Sequence, residues 1–136
     1  MADTKRALSA LIALSPDNTT GDFSNQDMRD FMVSVHGSRR VDNVTADTTL
    51  TTDYDVLTVD ASGGARAITL PDRATVQGKV YTVKRTSASN NVTVNRAGSD
   101  TIEGATSKTL GSQYASVTLL AGTATWLILC STGTVT

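Results

Sequence analysis

The residues able to carry chemistry are few. The chain of 136 residues holds one histidine, His36, one cysteine, Cys130, and one glutamate, Glu103. General acid–base or nucleophilic catalysis needs an acid, a base and a nucleophile that converge, and this inventory supplies them poorly. His36 falls at the end of a predicted helix, where a lone imidazole serves as a partner for the C-terminal helix dipole or as a packed side chain. Cys130 follows the apolar run Trp126, Leu127, Ile128 and Leu129, so a buried structural thiol is expected rather than a nucleophile. One Cys and one His cannot fill a tetrahedral zinc shell.

The acidic groups offer little more. Asp17, Asn18, Thr19, Thr20, Gly21 and Asp22 combine oxygen ligands with a glycine, as calcium loops do. The acidic closing residue of an EF-hand is missing at the required spacing, and an Asx-type turn accounts for the stretch. Asp53 and Asp55 flank Tyr54 and are expected to share one strand face, as a solvated strand edge rather than a cation site. Gly63, Gly64 and Gly98 read as turn glycines, not as a phosphate-binding fingerprint. Glycosidic cleavage by paired carboxylates is disfavoured with a single Glu. Matches to the glycosylation sequon at Asn18, Asn43 and Asn91 are what a chain rich in Thr and Asn produces by chance. The chain is therefore read as non-enzymatic, with no cofactor and no metal.

The elements that would position these groups divide into two kinds. In residues 5–14, Leu8, Leu11, Ile12 and Leu14 are spaced for one face of a short helix, ended by the turn-rich stretch from Ser15 to Asp22. Ser24 is a candidate N-cap with Asp27 at N3. Met28, Phe31, Met32 and Val35 then recur at helical spacing, predicting a helix from about Asn25 to His36, with Gly37 as its stop. From Tyr54 onward the period falls to two and β-branched residues dominate. Strands are predicted over 56–59, 67–70, 79–85, 91–95, 101–102, 108–110, 114–120 and 125–130, with turns between them. The expected organisation is a helical N-terminal arm at 1–37, a linker or edge strand at 38–53, and a β domain at 54–136. The fold class is mainly β, an antiparallel sandwich or barrel after a short helical segment. The expected core comprises Tyr54, Leu57, Val59, Ile68, Leu70, Tyr81, Val83, Val117, Leu119, Trp126 and Ile128. No internal repeat and no heptad pattern is visible.

Composition narrows the function classes. Twelve basic and 13 acidic residues give a net charge of −1, and neither side of Arg40 is polarised, so the basic stripe of a duplex-binding protein is missing. One cysteine permits no intrachain disulfide. No run of 18 apolar residues exists to cross a membrane as a helix, and the apolar stretch at 7–14 is read as part of the mature protein rather than as a signal peptide. Aromatics make up only 4% of the chain. A core with so little bulk gains stability by oligomerising.

Two stretches resemble proteins of bacteriophage virions. Residues 14–35, especially Pro16 to Ser24 followed by Gln26 to Asp30, look like the N-terminal attachment segment of small head-fibre, head-decoration and tail-fibre proteins. The second comprises Tyr54 to Asp60, Ile68 to Pro71, Gly78 to Arg85, Ile102 to Gly104, and Gln113 to Trp126. It is similar to a β domain that recurs in phage fibres and decoration proteins. The resemblance implies a structural virion protein, a head decoration (cement) or short head-fibre protein that is a homotrimer. It is expected on the capsid surface after assembly in the host cytoplasm. The chain stops at Thr136 directly after its last predicted strand, which favours this over a tail fibre with a shaft and tip. The implied partner is the major capsid protein, or a tail adaptor, with neither nucleic acid nor membrane bound. Residues expected to dock on that partner are Leu8, Leu11, Ile12, Leu14, Phe23, Met28, Phe31 and Met32; the alternative for the same residues is packing against the β domain or bundling of the three chains. The alternative is a tail-fibre or receptor-binding module that attaches to the virion and contacts the host surface.

Overall fold

Alternation of apolar and polar residues builds two β-sheets over one shared core. A computed structural model of the chain describes residues 39–136. Nine strands are present among them: β1 (Val41–Val44), β2 (Thr48–Thr49), β3 (Val56–Val59), β4 (Arg66–Thr69), β5 (Val80–Arg85), β6 (Val92–Asn95), β7 (Ser107–Leu110), β8 (Ser116–Ala121) and β9 (Trp126–Thr132). A short 3-10 turn, Arg73–Thr75, lies between β4 and β5 and is capped by Asp72. One sheet has five strands in the order β1-β3-β5-β8-β9, and the other has four in the order β2-β4-β6-β7.

Through β6 the chain changes sheet at every connection. β1 pairs parallel with β3 and β3 with β5, while β2 pairs parallel with β4 and β4 with β6. The first six strands thus wind as three successive coils, each placing one strand in each sheet. The turnover to antiparallel comes at the end: β6 with β7, β5 with β8, and β8 with β9. The sheets are therefore mixed, not antiparallel, and they do not close into a barrel. Both features depart from the expected sandwich or barrel of antiparallel strands, although the mainly β character holds. A parallel pair ordinarily requires a long crossover. Here the other sheet is the crossover, so short loops suffice.

The coils are unequal. Val41 pairs with Val56, 15 residues on, whereas Val56 pairs with Thr82, 26 residues on. Unequal coils leave no fixed sequence period, which is why no repeat is visible in the amino-acid sequence.

Successive strand side chains point to opposite faces. In β3, β5, β6 and β8 every second residue is buried. The inward set from both sheets forms one cluster that includes Leu57, Val59, Ile68, Val83, Val94 and Leu119. Trp126 and Tyr81 are its largest members, with ring centroids 5.8 Å apart and planes tilted by 57°. Of the expected core, Tyr54 and Ile128 are only partly buried and pack against the cluster. Leu50, Ala61, Val76, Ile102 and Leu110 join it from loops and from β7. The residues from Val41 to Thr136 form one compact unit.

Candidate functional site

Most groups that chemistry might recruit are engaged in holding the fold. Asp53 and Asp55 do not share a strand face, because β3 begins only at Val56. Asp55 is buried, and its carboxylate accepts from Lys79 Nζ at 2.6 Å. Lys79 Nζ also lies 5.6 Å from the centroid of the Tyr81 ring. Tyr81 donates its hydroxyl proton to Thr51 O at 3.0 Å. Burial of that phenol, reinforced by the nearby charges of Asp55 and Asp53, pushes its pKa up to about 12. A tyrosine so placed stays protonated and serves as an anchor rather than as a base.

Arg85 carries the second polar centre. It occupies an inward position of β5 and is 2% exposed. Its guanidinium donates to four neutral acceptors: Ser87 O at 2.9 Å, Ala88 O at 2.8 Å, Leu110 O at 3.2 Å and Asn91 Oδ1 at 3.3 Å. A planar fork of donors suits such a set of fixed carbonyls, and it shapes the 86–91 loop and ties it to the end of β7. Ser87 and Asn90 extend the tie to the 60–64 turn, through Ala61 N to Ser87 Oγ at 3.0 Å and Asn90 Nδ2 to Ala61 O at 2.9 Å. In that turn Asp60 Oδ1 accepts from Ser62 N at 2.8 Å. These hydrogen bonds from Ser62 hold the Asp60 carboxyl below its ordinary value.

A third polar centre, the second built on an arginine, lies beyond β4. Arg73 donates to Gly122 O at 2.9 Å and Thr123 O at 2.8 Å, and its backbone N–H donates to Asp100 Oδ2 at 2.8 Å. The Arg73 and Asp100 side chains form an ion pair at 3.5 Å.

Glu103, the lone glutamate, is also structural. It sits at φ 49° beside Gly104 at φ 83°, the two central positions of a tight turn closed by the bridge between Ile102 and Ala105. Positive φ at both positions marks a type I′ turn, which favours glycine at the second. The turn aims Glu103 Oε1 at Ile128 N, 2.8 Å away, while Glu103 N donates to Trp126 O at 3.1 Å. This side chain therefore covers the outer edge at the start of β9, where an uncovered strand would invite another to pair.

Cys130 is exposed, contrary to the buried thiol expected from the apolar run before it. β9 is an edge strand whose pairing shifts after Ile128: Leu119 faces Ile128, but Thr118 faces Cys130, leaving Leu129 unmatched. The shift moves Cys130 into the outward row with Thr118. No group of three or more His, Cys, Asp or Glu residues able to hold a metal ion occurs among the described residues. None of their helices is long and apolar enough to cross a membrane.

The surface offers two features the sequence did not disclose. Tyr114, at φ 63° and 58% exposed, stands beside Lys84, whose Nζ lies 5.8 Å from the ring centroid and donates to Tyr114 O at 3.1 Å. The outer face of the five-stranded sheet also carries an apolar row, Val80 opposite Leu120 opposite Leu127. Strand period alone marks these positions as outward. Which of them form a row across β5, β8 and β9 depends on pairings that only the fold supplies.

The residues expected to dock on a capsid, Leu8, Leu11, Ile12, Leu14, Phe23, Met28, Phe31 and Met32, lie outside the described residues, as do His36 and the Asp17–Asp22 stretch. The chain matches no protein-family model, and no curated protein matches it.

Proposed function

We propose that the chain is a non-enzymatic structural protein of a bacteriophage virion, which decorates or stabilises the capsid exterior as a homotrimer. Its helical N-terminal segment, 1–37, docks on the major capsid protein, and its β unit projects outward. The supporting observation is where the chemically capable side chains are spent. Asp55, Lys79, Arg85, Arg73, Asp100 and Glu103 each hold one loop or strand end to another. Such cross-bracing suits a protein whose task is to persist on a particle. A trimer also holds by multivalency, since three linked arms keep a grip that one would lose.

A specific feature favours the second reading, a tail-fibre or receptor-binding module. Tyr114 with Lys84 is an exposed aromatic beside a cation, the kind of platform on which a surface sugar stacks. Labelling purified virions with an antibody raised against the chain separates the readings. Label over the head is the expected result. Label confined to the tail selects the receptor-binding module, and virions without label overturn both.

A further inference from the structure

We propose that the polar end of the outer face of the five-stranded sheet, where Tyr114 stands beside Lys84, is a binding site for an acidic sugar, one that carries a carboxylate. The inference rests on the platform named in the second reading above and names its ligand, but it holds wherever on a particle the chain sits.

Tyr114 is the starting point, because its conformation is costly and its burial does not offset the cost. It occupies the second central position of the turn from Ser112 to Ala115, closed by Ala115 N donating to Ser112 O at 3.1 Å. A turn position with positive φ goes to glycine or asparagine, and a bulky side chain at φ 63° is strained. The ring is nonetheless 58% exposed, so it anchors no core. Strain kept at a residue that the fold does not need is characteristic of ligand-holding positions. The turn is also braced: Lys84 Nζ donates to Tyr114 O at 3.1 Å and Gln113 Nε2 to Thr86 O at 3.2 Å. The ring thus presents a fixed apolar surface on which the C–H groups of a sugar can stack.

Beside the ring runs a row of groups suited to sugar hydroxyls. Asn43, Thr58, Lys84, Ser116 and Thr132 lie in register across β1, β3, β5, β8 and β9. Their strand neighbours Leu57, Val83 and Val117 are buried in the core, so the row faces outward. Thr58 donates to Asp42 O at 3.1 Å and Asn43 Oδ1 at 3.2 Å, and the hydroxyls of Ser116 and Thr132 share a bond at 2.8 Å. These bonds fix the groups and leave hydroxyl lone pairs and the Asn43 amide donors for a ligand.

Charge selects the acid. Lys84 is the one charged residue at the outward strand positions of this face; the adjoining row, Val41, Val56, Thr82 and Thr118, adds none. Among the described residues no carboxylate pairs with Lys84. One of its three N–H donors goes to Tyr114 O, and the others remain for a carboxylate. Asp60, two residues beyond Thr58, is held by Ser62 N and lies near Arg66. Glu103 sits towards the other end of the face, on Ile128 N. A single cation is too little for a nucleic-acid backbone, and the row itself has no apolar side chain to anchor a peptide.

The test is NMR titration of the isotope-labelled full chain with short oligomers of galacturonate, mannuronate and sialic acid. Each is compared with its methyl ester, which keeps the shape and loses the charge. At least one acid is expected to move the amide signals of Lys84, Tyr114 and Ser116. Its ester is expected to bind about tenfold more weakly, the worth of one charge-assisted hydrogen bond. Lys84→Met is expected to bind acid and ester alike. Tyr114→Gly is expected to lose binding and to melt at the wild-type temperature or above, because glycine relieves the strain at positive φ. Binding of none of the oligomers overturns the site and the sugar platform together. Equal binding of acid and ester by the wild type overturns the choice of an acid and spares the platform. Binding retained in Tyr114→Gly, or a lower melting temperature for that variant, overturns the role assigned to Tyr114. None of these outcomes bears on where labelled virions carry the chain, which is read separately.

Discussion

The two faces of the five-stranded sheet are both apolar in places, yet only one of them is buried against the other sheet. On the inner face Leu57, Tyr81, Val83, Val117, Leu119 and Trp126 are all buried against the other sheet. On the outer face Val80, Leu120 and Leu127 stand in an equally regular row with no second sheet over them. Removing apolar area from water stabilises by roughly 25 cal/mol per Å², and the outer row, only partly buried, gains less of this from the fold than the inner one. The contrast separates positions chosen for folding from positions free to serve another purpose, and substitutions on the two faces should divide along the same line.

The largest effect is expected at the inner face. Trp126→Ala removes the largest buried side chain and its contact with Tyr81. Large-to-small changes of this kind cost about 3–5 kcal/mol, to be read from urea unfolding. Arg85→Met comes next, because it fits the space but strips donors from the carbonyls of Ser87, Ala88 and Leu110. Unsatisfied buried acceptors cost about 1–3 kcal/mol each. Partial relief by water at the 86–91 loop would bring the total to about 3 kcal/mol, and the same unfolding curve checks it. A loss as small as that of a surface substitution would mean that Arg85 is not what shapes this loop.

The course of the inner face was legible in the sequence, because β-branched and apolar residues at period two mark strands whatever their partners. Val56 to Val59 and Lys79 to Arg85 could be assigned in this way, as could most of the core. Strand direction could not. The alternation in β3 is the same whether β5 runs beside it parallel or antiparallel. The choice depends on whether the chain after Val59 turns back within its sheet or crosses to the other, as it does to β4. Gly63 and Gly64 announce a turn but not its destination. Arg85 also escaped notice, because an inward cation is recognised only once its carbonyl partners are in place. Exposure of Cys130 was hidden for a related reason: an unmatched Leu129 shifts the thiol to the outer row, and a run of apolar residues does not reveal a shift in register.

Alkaline titration tests the same inner face without mutation. The Tyr81 hydroxyl, with its pKa pushed up to about 12, loses its proton less readily in the folded chain than in the unfolded one, where about 10 is ordinary. A raised acid favours the protonated fold. Stability is therefore unaffected below pH ~10, falls as pH rises from ~10 to ~12, and falls no further beyond. With ~1.4 kcal/mol for each unit, the loss is about 2–3 kcal/mol. Tyr81→Phe should abolish this fall while itself losing the bond to Thr51 O. A fall of the same size in the variant would assign the effect to other groups.

The smallest effect belongs to the outer face. Thr82 and Thr118 share a hydroxyl hydrogen bond at 3.1 Å across paired positions of β5 and β8. Cross-strand Thr pairs contribute roughly 0.2–1 kcal/mol, and valine restores the shape and β-branching of threonine without the hydroxyl. Thr82→Val is thus expected to change the stability of the isolated chain by no more than about 0.5 kcal/mol. Thermal unfolding at fixed concentration reads the change. A loss well above that range would mean that the hydroxyl pair holds β5 to β8, and that the outer face contributes to the fold through its polar row.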